Sequence, residues 1–314
     1  MDPYITVFTP TYNREILLKR LYQSLIEQKS KNFEWIIVDD ESTDDTAKIV
    51  GEWIREEHTF PISYHRQNHG GKHRALNKGF RMARGIYFFI VDSDDYLTED
   101  AIEKVERWGK VVENENDIAG VSGLRISNGQ ILGGIPDEMQ KNGWIEAGNL
   151  ERGKYGLWGD KAEAYKVQIL RQHPFPEFAG EDFVTEAVCW DAIASEGYKI
   201  RWYGEAIYEC EYLEDGLTRT EANGIKGHIN NYKGFCYYVS QCMRVKKIWD
   251  WTGNLHRYNR VARMLHKKWR MRAKDLGISY GSYIFRMCIV FPYVYGIKML
   301  KKVWIHIRCD IKRN

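Results

Sequence analysis

Three short runs constrain this chain more than any other feature: YITVFT at Tyr4–Thr9, WIIV at Trp35–Val38 and IYFFIV at Ile86–Val91. They are apolar or β-branched almost throughout, so each reads as a strand buried on both faces. Helical spacing fills the intervals: Leu17, Leu18, Leu21, Leu25 and Ile26 within Arg14–Gln28, then Ile49, Trp53 and Ile54, then Ala75–Ala83, with a further strand at Ile62–His65. Strands alternating with helices predict an α/β fold with a parallel sheet covered on both sides. Ligands in such sheets bind at the carboxyl ends of the strands. In this chain those ends are TPTYNR, DDEST and DSDD, all polar and two of them acidic.

Beyond about Ile118 the pattern is less regular up to Gly159. Lys161–Arg171 and Asp182–Glu196 then read as helices flanking HPFPEFAGED, and Tyr198–Trp202 and Ala206–Glu209 as strands. After Gly227 the chain turns helical and basic. Residues 226–314 carry 20 Lys+Arg against three acids, Asp250, Asp275 and Asp310, whereas residues 1–225 carry 26 against 40. The modest overall charge of +3 therefore hides an acidic region, 1–225, and a basic one, 226–314. Two regions with opposite electrostatics imply two different partners, and the basic one seeks anions. Hydrophobic residues at 44% and charged ones at 28% exclude a disordered or fibrous chain. Six cysteines without a CxxC pair or zinc spacing, and an N-terminus without a charged-then-apolar leader, point to a reducing, cytoplasmic compartment.

The acidic strand ends carry specific chemistry. Asp92, Asp94 and Asp95 of DSDD emerge together, and three like charges raise one another's pKa unless a cation neutralises them. Mg²⁺ or Mn²⁺ fits, since hard cations take carboxylate and phosphate oxygens and stabilise a departing diphosphate. The competing reading is an acidic turn before the helix that starts near Thr98. In DDEST, Ser42 or Thr43 is a suitable N-cap, while a carboxylate at Asp40 could accept from a base N–H or a ribose hydroxyl. Opposite charge comes from NHGGKHRALN, where Gly70 and Gly71 permit close approach and Lys72 and Arg74 could contact phosphates. Neither GxxxxGK[ST] nor GxGxxG is present, which argues against P-loop and dinucleotide chemistry.

Taken in order, TPTYNRE, FEWIIVDDESTDDT, NHGGKHRALNKGF and YFFIVDSDDYL resemble the family 2 glycosyltransferases with the GT-A fold. The weaker WGDKAEAY, HPFPEFAGEDF and YLEDGLT segments extend the similarity to about residue 220. The resemblance implies a GT-A, Rossmann-like nucleotide-diphospho-sugar transferase domain with a mainly α-helical basic C-terminal extension. It implies inverting transfer of a sugar from a nucleotide diphosphate donor, a UDP-sugar by family habit, assisted by Mn²⁺ or Mg²⁺. Carried over position by position, Pro10, Thr11, Tyr12, Arg14 and Asp40 would hold the nucleoside, and Lys72 and Arg74 would line the nucleotide and diphosphate pocket. Asp92, with Ser93, would contact the ribose or sugar, and Asp94 the metal, with Asp95 beside it. Gly180-Glu181-Asp182-Phe183 matches the family's acidic pair, with Asp182 the expected base and Glu181 or Glu186 its rivals. Many metal-dependent members add a late histidine ligand; YECEYLEDGLT has none, which leaves Glu209, Glu211, His228 or water.

Aromatic residues make up 14% of the chain, and Trp144, Trp158 and Trp190 are candidate sugar-stacking platforms, with core packing the ordinary alternative. Leu276–Ile297 holds one charge, Arg286, in 22 residues, but its glycines, Pro292 and tyrosines favour an interfacial or partly buried segment over a spanning one. Eight Lys+Arg between Arg257 and Lys274, and six more after Ile297, fit an anionic membrane surface. The expected setting is therefore peripheral, on the inner face of the cell membrane, with a glycan or lipid-linked glycan acceptor in surface polysaccharide or glycolipid synthesis. Packing of the tail on the acidic domain, or dimerisation, competes with that reading. Nucleic acid is not expected, because no RNP-like or helix-turn-helix motif accompanies the charge. A nucleotidyltransferase would need a basic glycine-rich loop directly after the first strand, where this chain has TPTYNR. A non-catalytic scaffold would be expected to have lost DSDD or the acidic pair, and both remain.

Overall fold

A computed structural model of the chain describes residues 2–210, 224–292 and 296. The chain forms two compact units, Met1–Gly216 and Leu217–Asn314, against a boundary at 225 read from charge. The strands of the first unit are β1 (Ile5–Thr11), β2 (Phe33–Asp39), β3 (Ile62–Arg66), β4 (Tyr87–Ile90), β5 (Tyr96–Leu97), β6 (Ile118–Ser127), β7 (Gln130–Ile131), β8 (Trp144–Ala147), β9 (Lys161–Lys166) and β10 (Lys199–Glu209). Its helices are α1 (Glu15–Ile26), α2 (Thr46–Arg55), α3 (Lys72–Met82), α4 (Ala101–Val112), α5 (Asp137–Asn142), α6 (Val167–Gln172) and α7 (Ala187–Ser195).

All these strands belong to one mixed sheet of order β3-β2-β1-β4-β9-β6-β10-β5, with β7 added to β6 and β8 to β10. The expected parallel half is present: β1 runs parallel to β2 and β4, and β2 to β3. In β1 the neighbours Val7 and Phe8 point to opposite faces and neither is exposed. On one face Val7 shares a core with Leu18, Leu21 and Leu25 of α1, Trp53 of α2 and Trp108 of α4. Burying each of those leucines contributes about 1.5–3 kcal/mol. On the other face Phe8 stacks on Phe88, which Phe80 of α3 meets edge-on, at centroid distances of 4.9 and 5.0 Å. Gly79 lets α3 approach this closely, since a Cβ there would lie 2.3 Å from the Phe8 ring.

The second half departs from expectation at three points. Lys161–Lys166 is a strand, and only the following six residues are helical. KAEAYK has helix-favouring composition, but β9 is paired antiparallel on both sides, with β4 and β6, and tertiary pairing overrides propensity. The expected strands at 198–202 and 206–209 are one long β10 whose register against β6 shifts between Trp202 and Ala206. The helix expected from Asp182 begins only at Ala187, so Asp182 lies in an irregular loop rather than at a helix N-terminus.

The second unit contains α8 (Ile225–Asn230), α9 (Tyr232–Val245), α10 (Ile248–Met264) and α11 (Trp269–Asp275), and residues 280–292 are helical. Tyr283, Met287 and Val290 from the last segment join Phe235, Val239, Leu255 and Tyr258 in this unit's own core. Among the described residues no helix is long and apolar enough to cross a membrane.

In the first unit, buried Lys166 at the end of β9 donates to the carbonyls of Val112, Glu113 and Glu115, at 3.1, 3.1 and 2.9 Å, where α4 ends. A cation is favoured at a helix C-terminus, and here it satisfies carbonyls that the helix leaves open. Lys166→Met is expected to lower unfolding free energy by about 2–3 kcal/mol in a denaturant titration; an unchanged midpoint would show that water replaces the ammonium at no cost.

Candidate active site

The loops after β1 and β2 cap each other. Glu15 N donates to Asp44 Oδ2 at 3.1 Å, and Asp45 N donates to Glu15 Oε2 at 2.7 Å, so the first turns of α1 and α2 exchange carboxylates. Asn13 N bonds Ser42 Oγ at 2.8 Å, and Thr43 N bonds Asn13 Oδ1 at the same distance. Ser42 and Thr43 therefore bind the neighbouring loop instead of capping α2, as their position in the sequence had implied. Asn13 and Glu41 both take positive φ, 52° and 74°, an unfavourable backbone for Glu in particular. Asp39 is buried, accepting from Ser42 N at 2.7 Å and from the Tyr64 hydroxyl.

Asp40 organises the glycine loop. Its carboxylate accepts from Gln67 Nε2 at 2.8 Å, Gly70 N at 3.0 Å and Gly71 N at 2.8 Å, and His69 Nδ1 lies 3.0 Å away. Gly71 has φ of 86°, and a Cβ on it would fall 1.6 Å from Asp182 O. Only glycine allows this loop to meet the 180–183 loop. Arg74 ties the two together further, donating to Gly70 O, Glu181 O and Phe178 O at 3.1, 3.0 and 2.7 Å. Its guanidinium is thus engaged with backbone carbonyls, and with Glu177 at 3.4 Å, rather than standing open to a phosphate. The His69 ring lies between two carboxylates, with Nε2 3.9 Å from Asp182 Oδ2, and Tyr12 is 4.9 Å from it between centroids.

Lys72 occupies the centre. Its ammonium is 2.5 Å from Asp92 Oδ1 and 2.7 Å from Glu186 Oε1. Burial opposes the Lys72 charge, but the two carboxylates outweigh it and hold Lys72 above its usual range. In turn Lys72, aided by Arg125, overcomes burial and keeps Asp92 below its usual range. The other two aspartates are less well neutralised. Burial, then the charge of Asp92, raises Asp94, and the same two effects push Asp95 up to about 7. Tyr208 fixes the turn: its hydroxyl donates to Asp95 Oδ2 at 2.8 Å and accepts from Asp92 N at 3.0 Å, while Arg125 stacks over its ring. Among the described residues no three His, Cys, Asp or Glu side chains are grouped to hold a metal by themselves. Asp94 and Asp95 are hard oxygen donors, raised by burial and by Asp92 although Arg125 lies 3.7 Å from Asp95 Oδ2, and their chemistry suits a divalent cation whose remaining ligands come from phosphates.

Pro10 and buried Thr11 end β1, and the Thr11 hydroxyl has no hydrogen-bond partner among the described residues. Ser93 is buried within the DSDD turn, and the charge of Arg14 reaches Asp94. Asp182 is 58% exposed in its side chain, whereas Glu181 is buried. Sequence reasoning missed Arg125 and Tyr208, which no motif marks because β6 and β10 deliver them by sheet pairing, and gave His69 no role although it lies within NHGGKHRALN. Trp190 is buried and stacked on Tyr165 at 4.3 Å, a core role, while Trp158 is 61% exposed and Trp144 lies under the Arg201 guanidinium. Glu209 accepts from the Tyr96 hydroxyl at 2.7 Å, and His228 is buried in the second unit, stacked on Phe235. Glu211 and the YLEDGLT segment lie outside the described residues.

A parallel half-sheet with acidic carboxyl ends, a glycine–lysine loop and a DSDD turn defines a nucleotide-sugar transferase of the GT-A kind. The family model for glycosyl transferase family 2 matches residues 6–163, and the chain belongs to that family. Glycosyltransferase GlyA of Streptococcus pneumoniae is 38% identical over 119 residues, 38% of this chain and 16% of the relative. The poly(ribitol-phosphate) beta-N-acetylglucosaminyltransferase TarS of Staphylococcus aureus is 31% identical over 177 residues, 55% of this chain and 29% of the relative. The matched stretches thus span well under two thirds of these relatives' own lengths. Among solved structures, TarS residues 1–349 in complex with UDP-GlcNAc aligns with a TM-score of 0.58 at 21% identity, over 82% of this chain and 72% of that one. The mannosyltransferase PcManGT of Pyrobaculum calidifontis, in complex with GDP-Man and Mn²⁺, aligns at 0.54 and 17%, over 96% and 81%. At these identities the two structures share the fold.

His73, beside Lys72 in α3, is buried with neither ring nitrogen hydrogen-bonded among the described residues, and burial, then the neighbouring Arg74, lowers its pKa to about 4. The folded state therefore holds it neutral, while the unfolded chain takes up a proton near pH 6.5. Its contribution is intact above pH 6.5 and is lost as pH falls from there to about 4, on the order of 3 kcal/mol in all. His73→Leu is expected to flatten the acid limb of thermal stability over that window; an unaltered limb would assign the loss to other groups.

Proposed function

We propose that the chain transfers a sugar, with inversion, from a nucleotide diphosphate sugar to a hydroxyl of a glycan or lipid-linked glycan acceptor, in building a surface polysaccharide. The observation that carries this reading is the Lys72 bridge between Asp92 and Glu186, set beside Asp94 and Asp95, which burial and the charge of Asp92 raise even though Arg125 lies 3.7 Å from Asp95. A UDP-sugar is the favoured donor, in keeping with the UDP-GlcNAc complex of TarS, and the acceptor class follows the polymer in that relative's name. The basic second unit supports a setting at the inner face of the cell membrane.

In this reading Pro10, Thr11, Tyr12, Arg14 and Asp40 border the nucleoside, Asp92 and Ser93 the ribose or sugar, and Lys72 the diphosphate. Arg74 acts through the loop that it ties. Asp94 and Asp95 would hold Mn²⁺ or Mg²⁺, which supplies charge to stabilise the departing diphosphate. Asp182 takes the proton of the acceptor hydroxyl as its oxygen attacks the anomeric carbon. The bond from that carbon to the diphosphate breaks, and the electron pair leaves on the diphosphate oxygen. Asp182 suits the role because its carboxylate is open to an incoming acceptor while its backbone is pinned against Gly71.

Calorimetry with UDP on the full chain is expected to give binding that Mn²⁺ strengthens and that Asp94→Ala weakens about tenfold or more. Absence of binding to UDP, GDP and dTDP, with and without Mn²⁺, would overturn the donor reading. Asp182→Asn should retain donor affinity and lower transfer about a thousandfold; undiminished transfer would move the base to Glu186 or Glu181.

A further inference from the structure

The second unit contains a cavity of about 440 Å³ that plays no part in the chemistry above. It is lined by His256, Asn259, Arg260 and Arg263 of α10, Trp269 and Arg272 of α11, and Met287 and Phe291 beyond them. The α10 residues recur at helical spacing and so share one face, which places Arg260 and Arg263 three positions apart, where like charges repel. Arg272 forms part of the floor and is only 7% exposed. It is held by neutral oxygens, with Nε donating to Lys267 O at 2.9 Å and Nη1 to Asn259 Oδ1 at 3.4 Å. Asn259 is itself fixed by the Tyr283 hydroxyl and by its own bond to Leu255 O at 2.8 Å. The floor is therefore a preorganised polar network and not a solvated helix face.

Among the described residues no acid lines this cavity. The unit's two described acids are placed elsewhere: Asp275 is paired with Lys267 at 3.3 Å and accepts from the Tyr232 hydroxyl, and Asp250 sits in the first turn of α10. Ten residues of helix separate Asp250 from Arg260, roughly 15 Å. A buried guanidinium without a carboxylate, beside two rim arginines that repel, is an arrangement that an anion completes. Planar guanidinium forks match phosphate oxygens, and Trp269, Met287 and Phe291 add an apolar wall for what the phosphate carries.

We propose that this cavity binds an organic phosphate, its oxygens on Arg260, Arg263 and Arg272 and its organic part against Trp269 and Phe291. The same chemistry serves an anionic lipid headgroup or a soluble polyol phosphate. The test uses the full chain, with sn-glycerol 3-phosphate as one probe and phosphatidylglycerol vesicles as the other, phosphatidylcholine vesicles serving as control. The readout is hydrogen-exchange protection of residues 256–272, compared with that given by UDP so that binding at the donor site is told apart. Arg260→Gln/Arg263→Gln changes two exposed side chains, so its circular dichroism should match the wild type while its affinity falls about tenfold or more. Protection by phosphatidylglycerol vesicles alone identifies a lipid source, and protection by glycerol phosphate a soluble one; either outcome, abolished in the double variant, supports the site. Absence of protection by both probes, or equal protection in the double variant, overturns it.

Discussion

The ion pairs of Lys72 with Asp92 and Glu186 settle the main electrostatic problem of this fold. A parallel sheet covered on both faces delivers its loops to one edge, and those loops carry Asp39, Asp40, Asp92, Asp94 and Asp95. So many carboxylates on one edge repel, and burial sharpens the repulsion by removing solvent screening. Asp39 and Asp40 avoid the problem by accepting hydrogen bonds from their own and neighbouring loops. Asp92 avoids it through Lys72. Lys72 and Asp92 are half-buried, so breaking the pair strands one charge at a cost below the about 3–5 kcal/mol typical of a fully buried pair. The pair is thus both a structural clamp and a charge reference: it fixes Asp92 as an anion, and that anion in turn raises Asp94 and Asp95.

The glycine loop connects this electrostatic centre to the 180–186 loop. Asp40 gathers the amides of Gly70 and Gly71, Gly71 abuts the Asp182 carbonyl, and Arg74 fastens both loops through three backbone oxygens. These contacts are to backbone, so they fix the loop positions through the main chain. This explains why two glycines followed by a lysine and an arginine carry so much of the site, with one glycine for contact, one cation for charge and one for fastening.

The parallel half of the sheet was legible because β1, β2 and β4 are buried on both faces and so lose the polar alternation that would confuse them with edge strands. The strand-end motifs were legible because polar residues begin abruptly where the apolar runs stop, although Asp39, Asp40 and Asp95 are themselves buried. The antiparallel half was not. KAEAYK is helical by composition and becomes a strand only because β4 and β6 flank it, a fact carried by residues some 40 to 80 positions away. The loop at Asp182 looked like a helix start because acids precede an apolar run; the contacts that keep it irregular come from Arg74, more than 100 residues earlier. Arg125 and Tyr208 were invisible in sequence, being a cation and an aromatic in ordinary strands until β6 and β10 bring them to the DSDD turn.

Three acids lie in the 181–186 stretch, and what each touches distinguishes them under the proposed reaction. Glu186 is bound to Lys72, so accepting a proton there would strip that ammonium of one of its two counter-charges while the diphosphate is still forming its own contacts. Glu181 is buried beside the carbonyl that Arg74 holds, away from the solvent through which an acceptor must arrive. Asp182 is exposed, and its neighbour His69 is in turn 3.0 Å from Asp40, the residue that sets the glycine loop. Protonation of Asp182 leaves the Lys72 centre untouched, so proton uptake and leaving-group stabilisation proceed on separate groups. That separation is the physical reason to place the base on the only one of the three that neither neutralises Lys72 nor is closed off from the acceptor.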